Sequence, residues 1–594
     1  MKRWVWLGLV GGLVACSEKK PPSDDVEPQA CPGTSGAALP DTVREQALED
    51  DTEEVLIAFR PRVSANAMAS TDAFASDVVR VGGQVKRRFP RLNVVAARVS
   101  AEARQALARN PDVVSVEPDR VVRAFGMPRL PTRAWLGGVP NTVGSVGEYT
   151  QGLRMVQASQ VWDANGDGVL DPGSPSGTGI KVCVIDSGWD DRHPELKAAY
   201  IGGKDFVDDD SKEPGGGDGP LDRSKNKDGV LQWGGGHGTH TAATIAAQLG
   251  AGGKVRPGQE PHGVAGVAPT VSLLIARVLN VSGNGRTSDV IAAIEWCQSE
   301  KAHIASLSLG SADPSEIEKA AFDKALQGGM LSVAATGNNG MSKVAYPAAY
   351  DSVVAVGAVD FNGEWAAFSQ YGEQTSLVAP GVGVLSASIV GTAPFSDVAS
   401  EGTHLKSSPL EYSSIGAYTG RLVNCGLGDS VGSCGEEATC DGFVAYVDRG
   451  GGITFEEKAR NAIRAGAKAV IIGNDKAGEG EGSFTLSTPS PYWVPTASVS
   501  QDTAGALKRL VGQRVAVDVS GADYAVQTGT SMATPHVAGV AALVWSSNPA
   551  LTPTQVRESL EMSAKRQGIR DAKLGYGLVQ AAAAIEYARQ KFPR

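Results

Sequence analysis

The chain has 594 residues, too many for one hydrophobic core, and length alone suggests about four domains. Its formal charge is −10 with no block of basic residues, which argues against nucleic acid as a partner. Glycine is abundant at 73 residues, as suits a loop-rich α/β protein and not a helical bundle.

Lys2 and Arg3 precede an apolar run from Trp4 to Val14 that is too short for a permanent span. The run ends Leu13-Val14-Ala15-Cys16, which resembles a bacterial lipobox, so residues 1–15 are expected to be a lipoprotein signal peptide with Cys16 acylated. Two or three acyl chains exceed the single-chain threshold for stable anchoring, placing the protein on the cell envelope. Residues 16–51 are polar and carry Pro and Gly, the composition of a flexible tether. From Thr52 to about Val122 the pattern turns regular. Glu54 to Phe59, Asn93 to Val99 and Val113 to Asp119 read as strands, and Ala101 to Ala108 as a helix capped by Ser100. Residues 123–148 are aperiodic and hold the expected processing site.

Beyond the linker, Asp163, Asn165, Asp167 and Asp171 place oxygens at near-alternate positions around Gly168. A calcium loop like the first half of an EF-hand and a plain Asx-turn loop account for this equally, because Ser174 stands where the bidentate Glu belongs. Asp208-Asp209-Asp210 reads as a solvated loop, with calcium as the lesser alternative. Ile180 to Asp186 is a nearly continuous apolar run, a buried parallel strand with a carboxylate at its C-terminal end. Gly236-His237-Gly238-Thr239-His240 opens a helix of small residues. Strands and helices then alternate: Ser272 to Ala276, Ser288 to Gln298, Ala305 to Gly310, Pro314 to Gln327 and Leu331 to Ala335. Such alternation predicts a parallel sheet with helices on both faces and a site at the strands' C-terminal edge. Last comes Gly529-Thr530-Ser531-Met532-Ala533-Thr534-Pro535-His536, a serine just ahead of a long apolar helix. Unpaired N–H groups at such a helix start suit a developing oxyanion, although a bare serine there is more simply an N-cap.

Taken together, the Asp186, His237 and Ser531 segments, in that order, resemble the subtilisin-like serine protease family, or subtilases. The resemblance implies an α/β fold: a three-layer parallel sheet with helices on both faces over 149–390 and 521–590. Residues 52–122 resemble the α+β inhibitor I9-type propeptide, which occupies the cleft until cleaved, and 391–520 an inserted β-rich protease-associated (PA) domain. It further implies that Ser531 is the nucleophile, His237 the general base and Asp186 its orienting carboxylate, with Asn338 of Thr336-Gly337-Asn338 donating to the oxyanion. Ser308, Leu309, Gly310, Ala335 and Thr336 would wall the first specificity pocket and Ala345 would lie near its base. None is charged, so an apolar P1 residue is expected.

Thr241, Ala243 and Thr336 depart from the family's usual residues, all to small ones, so altered packing is expected and not lost activity. His240 and His536 read as packing residues, and the loop 250–262 lacks the family's calcium-loop sequence. Cys183 and Cys297 read as inert core thiols. Cys425, Cys434 and Cys440 suggest one bridge and one thiol left over, with Cys31 a further candidate partner. The Gly575-Tyr576-Gly577 segment resembles the family's domain end, so no further module is expected. The expected partners are protein or peptide substrates, the chain's own propeptide and a membrane through the lipid anchor, for a monomer with at most structural calcium. The competing reading, a surface adhesion protein on an inactive protease scaffold, leaves the intact Asp186, His237, Asn338 and Ser531 without a purpose.

Overall fold

The computed structural model describes residues 52–60, 66–125, 148–207, 219–225, 231–252, 263–410, 413–437, 442–477, 480–482, 484–486 and 492–593. Cys16, Cys31, Cys440 and the Asp208-Asp209-Asp210 run fall outside them, as do the tether and most of the linker.

At the centre is a seven-stranded parallel sheet in the order Thr375–Pro380, Val353–Val359, Leu331–Ala335, Ile304–Leu307, Lys181–Asp186, Ser272–Arg277, Tyr200–Asp205. Six of the seven are buried almost end to end, as strands covered on both faces must be. One face packs on the helices His237–Ala246 and Thr530–Ser547, whose Ala, Val and Gly residues let helix and sheet approach closely. The other packs on Thr287–Ser299 and Glu316–Gln327. Asp186 ends the fifth strand, and both small-residue helices start at that same C-terminal edge.

Cys183 and Cys297 are not free thiols. They form a disulfide across the core, 114 residues apart in sequence with Cα atoms 6.0 Å apart. Period-2 and period-3.6 patterns show that each is buried but not that strand and helix aim them at one another. Replacing both by Ala is expected to lower stability by about 4 kcal/mol, given the long loop they close. Denaturant melting of the purified protein checks this, and an unchanged midpoint would contradict it.

The expected propeptide folds as a four-stranded antiparallel sheet, order Gln84–Phe89, Val94–Ser100, Thr52–Phe59, Val113–Pro118, backed by the helices Ala67–Arg80 and Ala101–Ala108. Its outer face carries Leu56, Phe89, Val94 and Ala96, which pack on Ile291, Ile317 and Ala321 of the two catalytic-domain helices. Asp119 accepts the Ser288 N–H at 2.9 Å and its hydroxyl at 2.6 Å, and Glu117 accepts the Ser315 hydroxyl at 2.7 Å. Both helix N-termini thus receive a carboxylate from the propeptide, which suits their dipoles. The fourth strand does not end the unit: Val121–Ala124 continues as a further strand, across the boundary expected between propeptide and linker at residue 122.

The insertion leaves the catalytic domain through Val384–Ala387 and returns through Tyr524–Gln527, which pair antiparallel. Between them lies a mixed eight-stranded sheet with the helices Phe455–Arg464 and Gln501–Lys508 and two cores of its own. Cys425 and Cys434 are bridged, the single bond expected there.

Candidate active site

The Asp186 strand, the His237 helix and the Ser531 helix deliver their side chains to one edge of the sheet. Asp186 Oδ1 receives His237 Nδ1 at 2.7 Å and the Ser187 N–H at 2.7 Å. Burial lowers the His237 pKa, but the Asp186 charge and hydrogen bond outweigh it, so the net shift is upward. Its Nε2 is buried, with no hydrogen-bond partner among the described residues. The Ser531 hydroxyl donates to the Ser308 carbonyl at 3.0 Å, and the Ser308 hydroxyl returns a bond to the Ser531 carbonyl at 2.8 Å. Thr241, expected to alter packing only, places its hydroxyl 3.4 Å from Asp186 Oδ2 and 3.1 Å from the Gly238 carbonyl.

Asn338 is held from the serine side: its Oδ1 accepts the Thr530 N–H and hydroxyl, each at 2.9 Å. That fixes the amide so that Nδ2 points into the cleft, where it donates to the carbonyl oxygen of Phe125 at 3.3 Å. Phe125 follows Val121–Ala124, which lies antiparallel between Asn284–Arg286 and Leu309–Gly310. Arg123 faces Asn284 on one side and Gly310 on the other. Val122 is fully buried in the cluster that holds Leu279, while Arg123 faces solvent, the alternation of a strand with one face covered. The Phe125 ring lies over Gly310, where an added Cβ would come within 2.7 Å of Cζ. Leu309, Ala335, Thr336 and Ala345 are buried, and the Ala345 N–H donates to the Thr336 carbonyl at 3.0 Å.

His240 and His536 are buried, bonded to the carbonyls of Val384 at 3.0 Å and Met532 at 2.8 Å. Burial pushes them down to about 3 and about 4, so both stay neutral packing groups.

The Asp163 loop is closed by hydrogen bonds of its own. The Asp163 carboxylate is taken up by the Tyr149 hydroxyl and by the N–H groups of Gly166, Asp167 and Gly168. Asn165 accepts the Asp167 N–H, Asp167 the Val169 N–H and Asp171 the Ala164 N–H. These are Asx turns. Among the described residues no group of three or more His, Cys, Asp or Glu is placed to hold a metal ion. Sequence reasoning also passed over Glu195, which is fully buried. Its Oε1 accepts the Val264 N–H at 2.7 Å and the Tyr524 hydroxyl at 2.8 Å, and burial pushes its pKa up to about 8. Nothing in its surroundings marks it in the sequence, because its partners come from remote segments.

Residues 177–408 and 473–577 match the Subtilase family, 62–125 the Peptidase inhibitor I9 family and 418–507 the PA domain. The chain belongs to the subtilase family. Subtilisin E of Bacillus subtilis (strain 168) is 31% identical over 344 residues, spanning 57% of this chain and 74% of that protein. M-protease of Shouchella clausii (strain KSM-K16) is 33% identical over 346 residues, spanning 57% and 75%. The crystal structure of the psychrophilic subtilisin-like protease Apa1 from the Antarctic psychrotroph Pseudoalteromonas sp. AS-11 superposes with a TM-score of 0.50 at 32% identity. It covers 75% of this chain and 98% of that one. Fervidolysin from Fervidobacterium pennivorans shares the fold at a TM-score of 0.53 and 21% identity, covering 90% of this chain and 61% of that one. This subtilase is therefore a serine protease with an I9 propeptide and a PA domain. The I9 match ends at Phe125, the residue whose carbonyl meets Asn338.

Proposed function

We propose that the subtilase is an endopeptidase that cleaves its own precursor between Phe125 and Gly126, with Asp186, His237 and Ser531 as its catalytic triad. The observation that carries this is the Phe125 carbonyl bonded to Asn338 at the end of a strand held between two cleft edges. In attack, the Ser531 hydroxyl leaves Ser308 for His237 Nε2, which takes its proton as Oγ adds to the Phe125 carbonyl carbon. Asp186 keeps Nδ1 protonated and stabilises the imidazolium, and Asn338 Nδ2 follows the carbonyl oxygen as it becomes an oxyanion. His237 then protonates the leaving amine of Gly126, and water resolves the acyl-enzyme by the same steps in reverse.

The same strand supports a reading of specificity. Phe125 marks P1 and the buried Val122 marks P4, so protein substrates with an aromatic P1 and an aliphatic P4 are preferred. Phe125→Asp is expected to slow self-processing at least ~100-fold, because a carboxylate enters a pocket whose named walls carry no charge. Phe125→Leu stays within ~10-fold of wild type. Pulse-chase gels read both, and equal rates for Asp and Phe would contradict the P1 assignment.

The assignment to Ser531 is tested with casein and a serine-directed phosphonate: cleavage with label on Ser531 supports it, and neither cleavage nor label favours an adhesion role. Export and anchoring through Cys16 rest on the lipobox-like sequence alone, and no calcium is assigned to the Asp163 loop.

A further inference from the structure

Asp222 lies outside the three motifs, in a short segment that runs beside the end of the Asp186 strand, and is only 1% exposed. Its Oδ2 accepts the Gly236 N–H at 2.9 Å, its carbonyl accepts the Gly234 N–H at 2.8 Å, and its own N–H donates to the Trp189 carbonyl at 3.0 Å. Gly236 immediately precedes His237 and is the N-cap of its helix, with φ of 70° and no side chain to cap with. Asp222 takes up the N–H of that N-cap residue from another segment, while the Gly238 N–H two residues on is accepted by the Ser187 hydroxyl at 3.0 Å. The Ser187 side chain also hydrogen-bonds the carboxylate, and Oδ1 rests against Gly234, where an added Cβ would collide with it. The charged groups around it are Asp186 at the end of its strand, His237 at the head of its helix, and Arg277. Arg277 ends the neighbouring strand and is ion-paired with the buried Asp205.

We propose that Asp222 is a positioning residue for the catalytic base: it fixes the start of the His237 helix through the Gly236 amide and, when ionised, makes His237 a stronger base. The proposal rests on the proteolytic reading for its purpose but not for its test. Burial and then the Asp186 charge push the Asp222 carboxyl up to about 7. It therefore ionises over the same range in which a catalytic histidine loses its proton, and the two ionisations are coupled. Removing its charge while keeping its shape lowers the His237 pKa, because one anion fewer stabilises the imidazolium.

The test uses full-length Ser531→Ala protein, which needs no self-processing, with and without Asp222→Asn, and follows the His237 imidazole by NMR with labelled histidine. The midpoint is expected to fall by about 0.5–1 unit in the Asn variant. In the matured Asp222→Asn enzyme, assayed on a peptide anilide with Phe at P1, the acid limb of kcat/KM moves by the same amount while KM stays within ~2-fold. An unchanged midpoint overturns the proposal. So does loss of the fold in Asp222→Asn, since the amide keeps both the volume and the acceptor. A shifted midpoint in a protein that cleaves nothing supports the Asp222 role and overturns the proteolytic reading instead.

Discussion

Ser531→Ala is expected to abolish turnover and leave the precursor uncut. A subtilisin that loses its nucleophile drops roughly 10⁶-fold in kcat, and the same scale is expected here. The reason is visible around the residue: Ser531 is fully buried at the head of its helix, exchanging hydrogen bonds with Ser308. Removing the hydroxyl leaves that backbone arrangement in place, with the Ser308 hydroxyl still bonded to the residue 531 carbonyl. The variant should therefore fold, keep its propeptide strand in the cleft and accumulate as a full-length inhibited complex. Gel mobility and single-turnover kinetics read both consequences, and a cut, active Ser531→Ala protein would remove Ser531 from the mechanism.

Asn338→Ala is expected to cost roughly 10²–10³ in kcat, the loss known for a subtilisin oxyanion donor, with little change in KM. The Nδ2 contact to the Phe125 carbonyl is long in the resting complex, at 3.3 Å. A donor that tightens only as charge develops on the oxygen acts on the transition state and not on substrate binding. The substitution also strips the Thr530 N–H of its acceptor, which costs about 1–3 kcal/mol of stability. Thermal melting separates this loss from the kinetic one. A variant that melts lower but turns over at the wild-type rate would make Asn338 a structural brace alone.

The catalytic segments were legible in the sequence because each combines a reactive residue with a local pattern that fixes its place. An apolar strand ends in Asp186, and Gly-rich turns lead into small-residue helices at His237 and Ser531. What was not legible depends on contacts between distant segments. Val121–Ala124 has no periodicity of its own and is a strand because two cleft edges supply its partners. Cys183 and Cys297 look like any buried thiols until strand and helix are docked. Asp222 sits in an ordinary Pro-Leu-Asp turn, and only the fold brings it to the Gly236 amide. In the Asp163 loop the spacing leaves a calcium loop and an Asx-turn loop equally open, and it does not reveal that the loop's own N–H groups turn inward.

N-terminal sequencing of the matured wild-type enzyme, beside the Ser531→Ala protein, tests the central claim most directly. Cleavage after Phe125 predicts a mature chain beginning Gly126-Met127-Pro128 and no such terminus in the variant. A mature terminus elsewhere with the Phe125–Gly126 bond intact, or the same terminus in Ser531→Ala, would contradict self-cleavage by the site described.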